Sequence, residues 1–285
     1  MAMLVNRSTP LNEAEYFVFD LEVVGGSTDT NNILRPSHCY IWDMAFVHCN
    51  SNISFKTLVN PKLPSYPLPA TNELFHVTEK YLEEQKAPTF AEVIPKFLDY
   101  VNYFTGGVKP AVFIAHGTFI LDKPVLQQEF GRNSQLMPSN YYFYDTLPMF
   151  RQKFRRQASY SLKALYKHCF SEFPKEQHLA LPDTLNLCKL VMYVCQNDIT
   201  AIEGCVCPAY LTPLQTIKFI GRQKEQLMFN SGITCVEELV IICAKQCGFN
   251  ELLMSNFLQQ VCAVERSSAM KVARQVLFKV LTQPI

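Results

Sequence analysis

The sequence lacks long apolar runs. Although 48% of its 285 residues are hydrophobic, no stretch approaches the roughly twenty consecutive apolar residues of a transmembrane helix. The apolar run near the start, in MAMLVNRSTP, is too short for a secretory signal. These absences argue against a membrane protein and against secretion. We therefore expect a protein of the nucleus or the cytoplasm.

The sequence also has little net charge and few paired cysteine motifs. The formal net charge is only +1, so the overall charge does not by itself indicate a nucleic-acid-binding protein. Among the eleven cysteines, Cys205 and Cys207 form C-x-C, which lacks the C-x-x-C spacing and the second pair typical of zinc sites. In a chain of this length without an export signal, the cysteines indicate reduced thiols rather than a disulfide framework.

Positive charge is concentrated in one short segment, RQKFRRQ. It contains Arg151, Lys153, Arg155 and Arg156, which we call the basic run. Such a run either is a solvated surface or contacts phosphate groups, and its meaning depends on what lies beside it.

The first 196 residues alternate strand and helix patterns. The segments YFVFDLEVV, YIWDMAFVHC and ISFKTLVNP are typical of three strands in a meander, and AVFIAH is typical of a short buried strand. Apolar residues at helical spacing follow in FAEVIPKFLDYVNYF, SYSLKALYKHCF and TLNLCKLVMYV. This order predicts an α/β domain over residues 1–196, with a mixed sheet flanked by helices.

The sequence pattern changes after residue 196. Residues 197–211 include EGCVCPAYLTP, which lacks helical periodicity and indicates a linker. Residues 212–285 show helical patterns throughout and predict a small all-helical domain that resembles a SAM-like or helix-hairpin-helix-like bundle. We expect this domain to pack against or recruit a protein partner rather than to bind DNA directly.

Carboxylates stand out in otherwise apolar surroundings. Asp20 and Glu22 are separated by one residue in the first strand, so both side chains point to the same face of the sheet. Two buried acids on one face are costly unless a cation neutralises them. Asp122 follows a short buried strand, and Asp183 lies in the first turn of a helix, with His178 just before that helix in HLALPD. Each of these later acids could also be an ordinary helix cap.

Taken together, these motifs resemble the DEDDh 3′–5′ exonucleases, the family that includes polymerase proofreading subunits and the three-prime repair exonucleases. The matching segments are FDLEVVG, IAHGTFILDKPVL and HLALPD, the last of which fits H-x-A-x-x-D. The segments between them are similar in order, and the resemblance spans roughly residues 14–196. It implies an RNase H-like fold and a metal-dependent nuclease.

The resemblance also implies roles for individual residues. Two Mg²⁺ or Mn²⁺ ions would be bound by four carboxylates, Asp20, Glu22, Asp122 and Asp183. His178 would act as the general base, for which a neutral imidazole is suited near pH 7. Two departures concern substrate contacts: Val23 and Val24 stand where the family often has Thr-Thr, and Gly117 stands where Asn is common.

The expected ligand is a nucleic acid, with single-stranded or 3′-ended DNA favoured and RNA as the second choice. We expect it to contact Val23 and the basic run. The three-prime repair enzymes are dimers, which implies a homodimer. The layout of exonuclease-like domain, linker and helical tail is similar to the C-terminal region of the long isoform of the promyelocytic leukaemia protein, although here all catalytic residues are retained.

Three functional hypotheses remain open at this point. The chain could be an active 3′–5′ exonuclease, a catalytically weak nucleic-acid-binding module on an exonuclease scaffold, or an interaction protein whose nuclease domain is a relic. A relic would lose its buried acids first, because without metal each of them destabilises the fold. All four carboxylates are present, which favours the first hypothesis.

Overall fold

A computed structural model describes residues 13–25, 39–63, 77–119, 121–174, 178–202, 206–209, 211, 214–231, 233, 235–248, 250–262 and 264–282. The chain divides into two compact units, with the boundary between Ala209 and Tyr210. Within the ranges given, no helix combines the length and the apolar character that a membrane crossing requires.

The first unit contains six strands and six α-helices within the described ranges. The strands are β1 (Glu15–Gly25), β2 (Cys39–His48), β3 (Ser54–Leu58), β4 (Ala111–Ala115), β5 (Tyr141–Asp145) and β6 (Cys207–Pro208). The helices are α1 (Glu79–Glu84), α2 (Phe90–Thr105), α3 (Asp122–Arg132), α4 (Thr146–Lys153), α5 (Leu162–Phe170) and α6 (Ala180–Val194).

These strands form one mixed sheet in the order β3-β2-β1-β4-β5-β6. The first three strands pair antiparallel, β1 and β4 pair parallel, and β4 and β5 pair parallel. The α/β class and the mixed sheet predicted from the sequence are therefore confirmed.

Helices cover both faces of the sheet, because side chains of successive strand residues point to opposite faces. On β1, Phe17 and Phe19 belong to a core cluster that includes residues of α2 and α3. The alternate residues, Tyr16 and Val18, belong to a second cluster with residues of α4, α5 and α6. By the same alternation, Asp20 and Glu22 lie on the face of α6.

The segment predicted as a linker differs from that prediction in one respect. Within residues 197–211, Ile199–Ala201 form a 3₁₀ turn and Cys207–Pro208 form β6, which pairs antiparallel with β5. The Ala209 backbone N–H also donates to the Tyr141 carbonyl at 2.8 Å. A strand of two residues has no periodicity of its own, so only its pairing with β5 reveals it.

The second unit is helical, with α7 (Arg222–Asn230), α8 (Val236–Cys247), α9 (Glu251–Cys262) and α10 (Arg266–Thr282). Its core consists of apolar residues from all four helices, including Met228, Leu239, Leu258 and Val272. The helical character of this region is therefore confirmed. Its assignment to a SAM-like or helix-hairpin-helix-like class remains a prediction.

Candidate active site

A cavity of about 380 Å³ lies in the first unit, where the middle of β1 meets the starts of α3 and α6. Acidic and histidine side chains contribute much of its wall. The lining residues are Asp20, Leu21, Glu22, His116, Gly117, Leu121, Asp122, Leu162, His178 and Asp183. All five residues expected to carry the chemistry are among them.

Three of the four expected metal ligands lie within reach of one ion. One carboxylate oxygen from each of Asp20, Glu22 and Asp183 lies within 4.8 Å of the others. Asp122 is not part of this group, although its side chain lines the same cavity and begins α3. The pairing of β1 with β2 shifts register after Glu22, so the strand is irregular next to this acid.

The start of α6 places Asp183 and His178 together. Asp183 lies in the first turn of the helix, and its Oδ2 accepts the backbone N–H of His178 at 2.7 Å. His178 has φ 60°, a left-handed conformation, and its side chain is exposed at the cavity. Ala180, between these two residues, is fully buried.

Burial and mutual repulsion strongly perturb the acids. The pKa of Asp20 is well above its usual value because the side chain is buried and lies near Asp122 and Glu22. Burial, together with the charges of Asp183 and Asp43, raises the pKa of Glu22 to about 7. Burial and Asp145 raise the pKa of Asp122 to about 8. The site therefore favours either bound protons or a bound cation.

Asp43 is a site residue that the sequence analysis missed. It lies opposite Glu22 in β2 and is fully buried. Its Oδ2 accepts the backbone N–H of Ala180 at 3.1 Å, whereas Oδ1 has no hydrogen-bond partner among the described residues. Asp43 thus connects the part of the sheet that carries Asp20 and Glu22 to the start of α6. A signal was present, since Asp43 is the one charged residue in the apolar strand CYIWDMAFVH.

His116 and Gly117 form part of the cavity wall, and Asp145 supports it from behind through a hydrogen bond to Gly117. Asp145 caps α4 by accepting the Leu147 N–H and also accepts the Gly117 N–H, both at 2.9 Å. The His116 Nε2–H donates to the Tyr160 carbonyl at 2.7 Å, which leaves Nδ1 as the acceptor for the Thr146 hydroxyl at 2.9 Å. Burial lowers the pKa of His116. Since both ring nitrogens are engaged, His116 supports the wall.

The two departures from the family pattern have structural explanations. Gly117 has φ 79°, a conformation that glycine adopts without strain, and an added Cβ would meet nothing within 4 Å. Val24 is fully buried in a small cluster with Trp42 and Leu82, and Val23 packs against the main core.

The residues expected to contact nucleic acid do not line the cavity itself. Val23 lies one residue beyond the lining residue Glu22 and is half-buried. The basic run is exposed at the end of α4 and in the turn that follows. The guanidinium of Arg151 lies 5.8 Å from the ring centre of Tyr160, whose carbonyl holds His116.

Comparisons with known proteins agree on the first unit. A family model described as Exonuclease matches residues 17–191. The chain is 31% identical, over 143 residues, to "Exonuclease DPD1, chloroplastic/mitochondrial" from Arabidopsis thaliana, covering 48% of this chain and 44% of that protein. It is 32% identical over 100 residues to "DNA polymerase III PolC-type" from Clostridium perfringens (strain 13 / Type A), covering 35% of this chain and 6% of that protein. The chain thus spans less than half the length of these curated relatives.

A solved structure shows a similar fold. It is the nuclease domain of 3′hExo, a DEDDh family member, bound to rAMP. The TM-score is 0.53 at 13% sequence identity, and the match covers 65% of this chain and 94% of that one.

Proposed function

The chain belongs to the exonuclease family whose model matches residues 17–191, and from this premise we propose that it is a metal-dependent 3′–5′ exonuclease that removes nucleotides from DNA ends. The observation that carries the proposal is the convergence of Asp20, Glu22 and Asp183 to within 4.8 Å in a cavity that Asp122 and His178 also line. The perturbed pKa values of these acids support it, because buried acids held together without a cation destabilise a fold.

The donor set fits a hard divalent cation. Carboxylate oxygens are the ligands that Mg²⁺ and Mn²⁺ prefer, and the raised pKa values of Glu22 and Asp122 indicate uncompensated negative charge. Asp20, Glu22, Asp122 and Asp183 would hold two such ions. When bound, a pair of divalent ions activates a water molecule and stabilises the negative charge on the leaving oxygen.

The protein side chains would orient the substrate and move the proton. His178 is exposed at the cavity mouth, with its backbone tied to Asp183. From this position its imidazole would accept a proton from the attacking water, as a general base does near neutral pH. Asp43 would keep the start of α6 in place through its bond to Ala180.

The preferred substrate would be single-stranded or 3′-ended DNA, with RNA as the second choice. The relative from Clostridium perfringens is named as a DNA polymerase, whereas the similar solved structure holds a ribonucleotide, so both sugars belong in the test. The basic run and Val23 would contact the substrate. A homodimer, a protein partner for the helical unit, a nuclear or cytoplasmic location and the likeness to the promyelocytic leukaemia protein region remain predictions.

The test is degradation of single- and double-stranded DNA and RNA, labelled at either the 3′ or the 5′ end, with Mg²⁺ or Mn²⁺. The variants Asp20→Ala and His178→Ala are compared with matched controls at exposed positions, Asp99→Ala and His168→Ala. We expect a ladder of 5′-labelled products with wild type and the controls, and none with the site variants. Ladders of 3′-labelled products would refute the direction. Equal degradation by Asp20→Ala would refute the site.

The same assay separates the second hypothesis, a nucleic-acid-binding module without turnover. The two valines in place of Thr-Thr are the observation that favours it. Binding of oligonucleotides without cleavage under either metal would support that hypothesis over the enzyme.

A further inference from the structure

The positive charge near the site extends beyond the basic run. Between Arg151 and Lys167 the chain carries the four residues of the basic run plus Lys163 and Lys167, six in all, and no Asp or Glu. The whole chain has a net charge of only +1. A surface segment whose charges are all positive attracts anions, and without bound anions these charges repel one another. The two additional lysines both lie on α5.

An exposed aromatic ring lies beside these two lysines. Lys163 and Lys167 are four residues apart, so they project from the same face of α5. Their Nζ atoms lie 5.4 and 4.3 Å from the ring centre of Phe173, which is 52% exposed. We call these three residues the α5 platform. Within the part of the chain that the structure describes, neither lysine forms an ion pair, whereas Lys189 on α6 contacts Glu172 at 3.4 Å.

Helix α5, which carries the two platform lysines, begins at the cavity. Leu162, the first residue of α5, lines the cavity, and Lys163 follows it directly. The turn before α5 is fixed to the cavity wall, because the Tyr160 carbonyl accepts the His116 Nε2–H. Lys163 and Lys167 follow Leu162 by one and five residues, which is up to about 7.5 Å along the helix axis, so the platform would lie a few nucleotides from a 3′ end bound in the cavity.

We propose that the α5 platform binds the single-stranded nucleic acid that leads into the cavity. Lys163 and Lys167 contact backbone phosphates, and Phe173 stacks on an unpaired base. Lysines alone would attract any anion. The exposed ring adds stacking energy when the anion also carries an unpaired base, so lysines and ring together favour single-stranded nucleic acid. This proposal rests on the proposed nuclease function and assigns to it an upstream binding site.

The test measures binding and hydrolysis separately. Binding of a labelled single strand of about twelve nucleotides, within the range of known single-strand sites, is followed by fluorescence anisotropy in EDTA, which prevents metal-dependent cleavage. The variants are Lys163→Ala/Lys167→Ala and Phe173→Ala. The matched controls are Lys80→Ala/Lys96→Ala on other helices and Tyr103→Ala, an aromatic residue that is 76% exposed.

We expect the double lysine variant to bind less tightly and with a weaker salt dependence. Each lost phosphate contact lowers the slope of log K against log salt by about 0.7 for a single strand. Phe173→Ala is expected to weaken binding by about 5- to 150-fold, which corresponds to the loss of one stacked base. The controls should bind like wild type. Wild-type affinity in both platform variants would overturn the proposal.

Hydrolysis distinguishes this proposal from the function on which it rests. The p-nitrophenyl ester of a nucleotide fills only the cavity, so kcat/KM for it should be unchanged in the platform variants, while kcat/KM for the longer strand falls. If wild type cleaves both substrates and the variants match it, the platform is refuted and the nuclease function stands. If wild type cleaves neither, the function is refuted. Equally tight binding of oligoglutamate, insensitive to Phe173→Ala, would overturn the proposal in favour of an acidic protein partner.

Discussion

Neutralising Glu22 should stabilise the metal-free protein above about pH 4.5, by an amount that grows until the pH passes about 7. In the folded state burial and the charges of Asp183 and Asp43 raise the pKa of Glu22 from 4.5 to about 7. At about 1.4 kcal/mol per pH unit, ionising this group in the folded protein costs about 3.5 kcal/mol. The variant Glu22→Gln removes that cost while preserving the size of the side chain.

The direction of the pH dependence follows from proton binding. Between pH 4.5 and about 7 the folded protein retains the proton on Glu22 that the unfolded chain has lost. Stability is therefore fully present below pH 4.5 and decreases as the pH rises through about 7. Wild type and Glu22→Gln should unfold alike near pH 4.5. At pH 8 in EDTA the variant should melt roughly 7–14 °C higher, given 2–4 °C per kcal/mol for a domain of this size.

Thermal melts in EDTA from pH 4.5 to 8.5 provide the measurement. Glu84→Gln, at an exposed position that faces Lys80 at 3.8 Å, is the matched control and should change stability little at any pH. Added Mg²⁺ should stabilise wild type more than Glu22→Gln above pH 7, because binding to the folded state adds stability. A variant no more stable than wild type at pH 8, or a difference independent of pH, would refute the account of clustered, uncompensated acids.

Three further predictions concern the surroundings of the site. Asp43→Ala should lower kcat about 10- to 100-fold. Asp43→Asn should keep most of the wild-type kcat, because its amide oxygen still accepts the Ala180 N–H. Equal losses in the two variants would show that the charge of Asp43 matters rather than its positioning of α6. Gly117→Ala should lower the melting temperature, because the left-handed conformation at φ 79° costs alanine about 1–2 kcal/mol. Gly117→Asn should lower it less, because asparagine adopts this conformation more readily. Equal losses in the two variants would contradict this explanation. Leu190→Ala, in the buried face of α6, should cost about 2–5 kcal/mol in urea unfolding, and a loss well below that would contradict the packing of α6 on the sheet.

Much of the fold could be predicted because its signals are local. Apolar residues on both faces of β1 and β4 indicate strands covered on both sides, and helical periodicity located α2, α5 and α6. These predictions were confirmed. The strand β6 could not be predicted, because two residues carry no pattern and their place is set by pairing with Tyr142 and Phe143.

For the site, the sequence alone determined which acids share a face and which residues begin a helix. Asp20 and Glu22 alternate with Phe19 and Leu21, and this spacing fixes their common side in any strand. His178 and Asp183 are tied together by the local geometry of a helix start. The motifs were also specific enough to indicate an exonuclease, and a family model described as Exonuclease matches residues 17–191.

Only the tertiary structure decided how close the acids come and what surrounds them. Asp43 lies opposite Glu22 because of the register between β1 and β2, and its contact with Ala180 spans 137 residues of sequence. The shared wall of Asp145, Gly117 and His116 likewise depends on β4 and β5 pairing in parallel. Register and crossover are set by the packing of whole elements, so no local pattern encodes them. The raised pKa values follow from those distances and from burial, and they too belong to the folded chain alone.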